Sequence, residues 1–218
     1  MELDKCIEGG RSCRDFSSRM VPLEMIYDIM NAAVHAQSPG NVQNWAFVIV
    51  TDDSEKEDIS LVSRNQKWMS NASSLIVFCN DASKCDVLFP KRGKLYATQA
   101  VAAAAQNAVL KAEDLGLATC WVGAFDEKAV QRIIAAPDNM VPEIILVVGY
   151  PMIKPKSTKL RTEIEKIAYF NTYGNTKTIS SYLNIDSAIK KAKHKAKKNV
   201  DAVMKETVGK LKDFFKKK

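Results

Sequence analysis

A chain of 218 residues and 24.2 kDa, 46% hydrophobic, is most simply one domain. At that size it buries roughly 70% of its unfolded surface, and five cysteines, odd in number and without repeated CxxC or Cys/His spacing, argue against a disulfide framework and a zinc site. The net charge of +7 belongs to the chain's end, since residues 186–218 carry 12 lysines against 4 acids and leave 20 basic and 21 acidic residues before them, a balance that points to no polyanionic partner for the body.

The N-terminus has no apolar signal core and no run approaches the eighteen or so apolar residues of a membrane span, so a cytoplasmic location is the expectation. Leu3 to Glu8 suit a short helix that Gly9 and Gly10 end. Arg11-Ser12-Cys13-Arg14-Asp15-Phe16 follows, two guanidinium groups three residues apart around a hydroxyl, suited either to a phosphate or to ordinary surface solvation. From Pro22 the apolar residues Leu23, Ile26, Ile29, Met30, Ala33 and Val34 fall on one helix face, with Glu24 in the first turn. The stretch from Ala36 to Trp45 joins turn formers to side-chain amides; it suits the edge of a heterocycle, or a plain helix-to-strand loop whose Trp is core.

Buried strands are predicted at 46–50 and 74–79, with a charged helix after Thr51-Asp52-Asp53-Ser54 and a polar helical stretch over 64–71. Residues 81–94, with Pro90 and Lys91-Arg92-Gly93-Lys94, are expected to form an irregular loop near an opening. Ala97 to Ala112 is alanine-rich with apolar side chains on nearly every face, which predicts a buried central helix stopping at Gly116. Leu117 to Phe125 reads as a buried strand ending in a Gly-containing loop, 127–135 as an amphipathic helix and 143–150 as an apolar strand. Beyond a basic connector with Lys154, Lys156, Lys159 and Arg161, residues 164–169 look helical. The chain has no P-loop, GxGxxG, GxSxG or HExxH, and only His35 and His194, so histidine-based catalysis finds little material.

Four stretches, in this order, resemble the nitroreductase family of FMN-dependent oxidoreductases: Arg11 to Phe16; Ser38 to Trp45; the Ala-rich helix running through Gly116-Leu117 into Trp121 to Phe125; and Lys159-Leu160-Arg161. The resemblance covers about residues 5–175 and implies an α+β fold, a three-layer α-β-α sandwich with a mixed central sheet, in an intertwined homodimer with two FMN sites at the interface. It implies that Arg11, Ser12 and Arg14 lie at the phosphate and ribityl end, joined by Lys159 and Arg161. Ser38, Pro39, Gly40 and Asn41 would meet the flavin ring from the other subunit. Val122, Gly123 and Ala124 would run along the ring with a backbone N–H near N5, and Asn65 would sit at the pyrimidine edge. The family usually has a basic residue where Gly10 stands and often proline at the positions of Gln37 and Asn44.

The implied activity is ping-pong: NAD(P)H reduces FMN, then an electron-poor acceptor such as a nitroaromatic or quinone takes its place. A flavin supplies the redox chemistry, so no side-chain nucleophile is named. Two alternatives stand beside it, a flavin-binding sensor or carrier without turnover, and a dehalogenase-like or flavin-destroying relative. Residues 1–175 are taken as the FMN-binding domain and 176–218 as a basic extension. In that extension Ile189, Ala192, Ala196, Val200, Val203, Val208, Leu211 and Phe214 or Phe215 recur at helical spacing among lysines, suiting a helix packed on the dimer, a surface for nucleic acid or anionic lipid, or a solubilising tail.

Overall fold

The computed structural model describes residues 2–153 and 160–175, and the chain divides into two compact units, 1–156 and 157–218. In the first unit, helices α1 (Leu3–Gly9) and α2 (Leu23–Val34) precede strand β1 (Trp45–Val50), helix α3 (Asp53–Val62) and strand β2 (Ser74–Asn80). Helices α4 (Ala82–Leu88) and α5 (Gly93–Asp114) follow, then strand β3 (Ala118–Val122), helix α6 (Glu127–Ile133) and strand β4 (Val141–Gly149).

The sheet order is β1-β2-β4-β3, and all three pairings are antiparallel. The parallel component of the expected mixed sheet is, among the described residues, one bridge from Ser12 to Thr119. Alternation along the strands divides the interior into two layers. Ile76, Phe78, Ile144, Leu146 and Val148 face α2 and α5, whereas Leu75, Val77, Cys79, Ile145 and Val147 face the side that holds Ile59 of α3 and Val130 of α6. Helices thus cover both faces, the expected three layers.

The predicted central helix is α5, and its Ala97, Ala104, Ala105, Ala108 and Ala112 are fully buried. Alanine brings α2 close enough for Asn107 Nδ2 to donate to Ala32 O at 3.2 Å. Local signals explain most boundaries: Asp52 caps α3 by accepting from the backbone N–H of Ser54 and Glu55, and Asp126 caps α6 through Ala129 N at 2.9 Å. Gly116, at φ +76°, ends the α5 region in the left-handed conformation.

Three expectations are corrected. Residues 81–94 are not an irregular loop, because Asp81 Oδ1 accepts from Ser83 N at 3.2 Å and starts α4, and α5 begins already at Gly93. The stretch 64–71 holds only a 3-10 turn, Lys67–Met69, after Arg64 and Asn65 take positive φ and break the helical path. In the second unit, the helical expectation at 164–169 reduces to a 3-10 turn at Ile164–Lys166, with the Tyr169 and Tyr173 rings 4.6 Å apart. Lys159 and the extension 176–218 lie outside the described residues.

Candidate functional site

The segment after Gly10 runs beside the edge strand β3. Cys13 N donates to Thr119 O at 2.9 Å and Ser12 is bridged to Thr119, which fixes the segment's register on the sheet. Cys13 is buried while Ser12 and Arg14 are exposed, the alternation of an extended strand. The Arg14 guanidinium lies 5.7 Å from the centre of the Trp68 ring, and Trp68 in turn stacks on Phe16 with centroids 6.4 Å apart. Burial pushes the Cys120 thiol up, against the opposing pull of the Arg14 cation and a hydrogen bond with Ser12, so these three side chains converge.

Arg11 behaves differently. Its Nη1 donates to the carbonyls of Glu8, Gly9 and Gly10 at 2.5, 3.2 and 3.0 Å, satisfying the open carbonyls at the end of α1. With Glu113 and Gly116 it lines a cavity of ≈ 30 Å³ beside the C-terminal end of α5.

Beyond β3 the chain opens. Val122 is buried, Gly123 and Ala124 are exposed, and a Cβ on Gly123 would meet nothing within 4 Å. Asp126 N donates to Val62 O at 3.0 Å, bringing this loop beside the turn that carries Asn65. Between them an open cavity of ≈ 500 Å³ is lined by Leu61, Val62, Arg64, Phe125 and Asp126. Trp121, at 40% exposure, points away from the buried face of a strand whose neighbours Cys120 and Val122 are buried. The sequence reading singled out neither Trp68 beside Arg14 nor the exposure of Trp121; alternation along 120–122 was the available signal for the second.

Ser38, Pro39, Gly40 and Asn41 lie elsewhere on the same chain. They lead into β1 at the opposite edge of the sheet, and a Cβ on Gly40 would stand 3.6 Å from Leu88 and 3.7 Å from Phe89, at the junction of α4 and α5. Three interstrand spacings, about 14 Å, separate the two edges. The Arg11 end and the Gly40 end of the 22-residue α5 are a further ~33 Å apart along its axis. One mononucleotide does not reach both groups within a single chain. Both groups contain left-handed backbone, with Gly40 at φ +55°, Asn41 at +57°, Gln43 at +50° and Asn65 at +56°, a conformation that sites often hold at a cost in stability. Arg161, in the second unit, is exposed and donates from Nη1 to Leu160 O at 2.9 Å.

A hydroxyl and a guanidinium on an edge segment, followed by small exposed residues with open space above them, are a donor set that fits an anionic tail and a flat ring. The sequence model of the Nitroreductase family matches residues 7–67 and 60–150, which contain all of these elements. The chain belongs to the nitroreductase family. A protein of Archaeoglobus fulgidus named for NAD(P)H nitroreductase activity is 32% identical over 154 residues, covering 67% of this chain and 84% of its own. An FMN reductase (NADPH) of Bacillus subtilis is 27% identical over 198 residues and 79% of each chain. Among solved structures, nitroreductase A of Vibrio parahaemolyticus superposes with a TM-score of 0.72 at 25% identity, over 84% of this chain and 81% of that one. The nitroreductase-family match ends at residue 150, before the basic connector and the extension. Among the described residues no helix is long and apolar enough to cross a membrane, and no group of three or more His, Cys, Asp or Glu side chains is placed to hold a metal ion.

Proposed function

We propose that the protein is a cytoplasmic, homodimeric, FMN-dependent oxidoreductase that takes electrons from NAD(P)H and delivers them to an electron-poor small acceptor, a nitroaromatic or a quinone, in a ping-pong cycle. Bound FMN supplies the hydride and electron chemistry. The chain's own work is to hold and orient it. Ser12 and Arg14 offer a hydroxyl and a charge-assisted donor to the phosphate end, and Trp68 keeps the Arg14 guanidinium from collapsing onto other acceptors. Val122, Gly123 and Ala124 leave room for a ring to lie along the backbone, and Asn65 offers an amide at the ring's polar edge.

Gly10 contributes no cation and Arg11 Nη1 is already engaged by three carbonyls, so the phosphate grip within this unit falls mainly on Arg14. The observation that carries the proposal is the division of the site residues between opposite sheet edges. It leaves each half short of what a flavin needs unless a second copy supplies Ser38 to Asn41. The relatives support the donor and the cofactor through their names, FMN reductase (NADPH) and NADPH-flavin oxidoreductase.

Purified protein should be yellow, bleach anaerobically on addition of NADPH or NADH, and recolour when a quinone or nitroaromatic is added. Initial rates with both substrates varied should give parallel double-reciprocal lines. A yellow protein that neither nicotinamide bleaches would overturn the enzyme in favour of a binder, and intersecting lines would overturn the ping-pong order.

A further inference from the structure

The junction of α4 and α5 carries a second feature. An open cavity of ≈ 510 Å³, within the size range of small-ligand pockets, is lined by Lys91, Arg92 and Lys94 together with Asp86, Pro90 and Leu95. Three cations therefore face one carboxylate. The Asp86 carboxylate is set against the start of α5: its Oδ1 is the atom nearest to where a Cβ on Gly93 would stand, and its N and Cα lie 2.6 Å from the same point, so it offsets one of the three cations. Among the described residues, Lys91 and Lys94 are exposed and form no ion pair. Arg92 is held by stacking, its guanidinium 5.3 Å from the Tyr96 ring centre.

The cluster is costly for the helix that carries it. Arg92 and Lys94 flank the first turn of α5, which has no acid of its own and where the helix field opposes positive charge; the one carboxylate set against that turn is Asp86 of α4. The cavity also adjoins the ring-contacting loop. Tyr96 packs edge-on against Phe89 at 5.4 Å, and Phe89 and Leu88 lie against Gly40. Arg92, Tyr96, Phe89 and Gly40 are therefore one continuous line of contacts from the cationic cavity to the loop proposed to meet the flavin from the other subunit.

From this geometry we infer that the cavity at the α4–α5 junction binds the adenosine 2′-phosphate of NADPH and so sets the choice of NADPH over NADH as electron donor. The inference rests on the proposed function for the identity of the dinucleotide, and it goes beyond that reading by naming the group that selects between the two donors. A phosphomonoester carries nearly two negative charges at neutral pH, a match for paired lysines and a fixed guanidinium. NADH has no such group.

The test separates this inference from the redox assignment by reading binding without turnover. Calorimetric titration of the full-length protein with adenosine 2′,5′-bisphosphate, 5′-AMP and inorganic phosphate should show the bisphosphate binding at least tenfold tighter than 5′-AMP. The Lys91→Gln/Lys94→Gln double variant should lose that preference by on the order of tenfold with FMN content and unfolding midpoint unchanged. In steady state the same variant should raise KM for NADPH while leaving KM for NADH and kcat in place. Equal binding of bisphosphate and 5′-AMP, binding of inorganic phosphate as tight as the bisphosphate, or an unchanged preference in the double variant overturns the inference. A bisphosphate preference that both lysines carry, in a protein that no nicotinamide bleaches, upholds the 2′-phosphate site and overturns the redox assignment together with the donor choice that rests on it.

Discussion

Asn44 is fully buried where β1 begins, an unusual place for an amide. Its Nδ2 donates to Asn80 Oδ1 at 2.7 Å and to Ala97 O at 3.1 Å, and Asn80 passes the connection to Glu143 at 2.8 Å. The residue thus ties the loop before β1 to β2 and α5, a role that proline, the family's frequent choice at this position, does not fill. Asn44→Ala should cost about 1–3 kcal/mol, because it strands buried acceptors, and a lowered urea midpoint with unchanged slope would report it. Cys79 makes a pH prediction. Burial pushes its thiol up to about 11 from 9.0. The folded state thus keeps its proton where the unfolded chain releases it. Its contribution to stability is complete below pH 9 and is lost as pH rises from 9 to 11, on the order of 2 kcal/mol. Denaturation midpoints should be flat up to pH 9 with respect to this group and fall above it, and Cys79→Ala should flatten that fall.

At the scale of elements, α5 works because it is made of alanine. Ala104 has no exposed surface and stands in the layer shared with α2 and the sheet. Ala104→Leu should therefore cost about 1–3 kcal/mol by overpacking, seen as a lower thermal midpoint, although leucine is nearly as good a helix former. The same element was the most legible in the sequence, since sixteen residues without a broad polar face have one physical solution. Helix α4 was not legible as a helix: seven residues are too few to show a period, and Pro90 and the basic run after it read as a loop. The Asp81–Ser83 cap was the signal available. Segment 64–71 failed for the opposite reason, its polar composition suiting a helix that left-handed Arg64 and Asn65 interrupt.

At the scale of the molecule, the residues proposed for the site fall into two groups at opposite edges of the sheet. If Ser12 and Arg14 of one copy work with Ser38 to Asn41 of another, complementation between two inactive variants should follow. Arg14→Ala and a Gly40→Val/Asn41→Ala variant should each lose most activity. Refolded together in equal amounts, they should regain about a quarter of the native activity, because roughly half of the dimers are mixed and each of these contains one intact site of two. No recovery in the mixture, with both variants dimeric, would place the two groups in separate functions.

By itself the sequence determined the secondary elements with strong periods, the burial of α5 and the four stretches that carry the family resemblance, because periodicity and turn chemistry are local and each is written in neighbouring residues. It also named Ser12, Arg14, Asn65 and the 122–124 run from that resemblance. Only the tertiary structure decided that Arg14 rests on Trp68, that Arg11 Nη1 caps α1, that Asn65 lies beside the loop after β3, and that Ser38 to Asn41 belong to the far edge of the sheet. These are relations between residues tens of positions apart. Periodicity states which face a side chain takes, whereas strand order, register and the close approach of helices choose what it meets there.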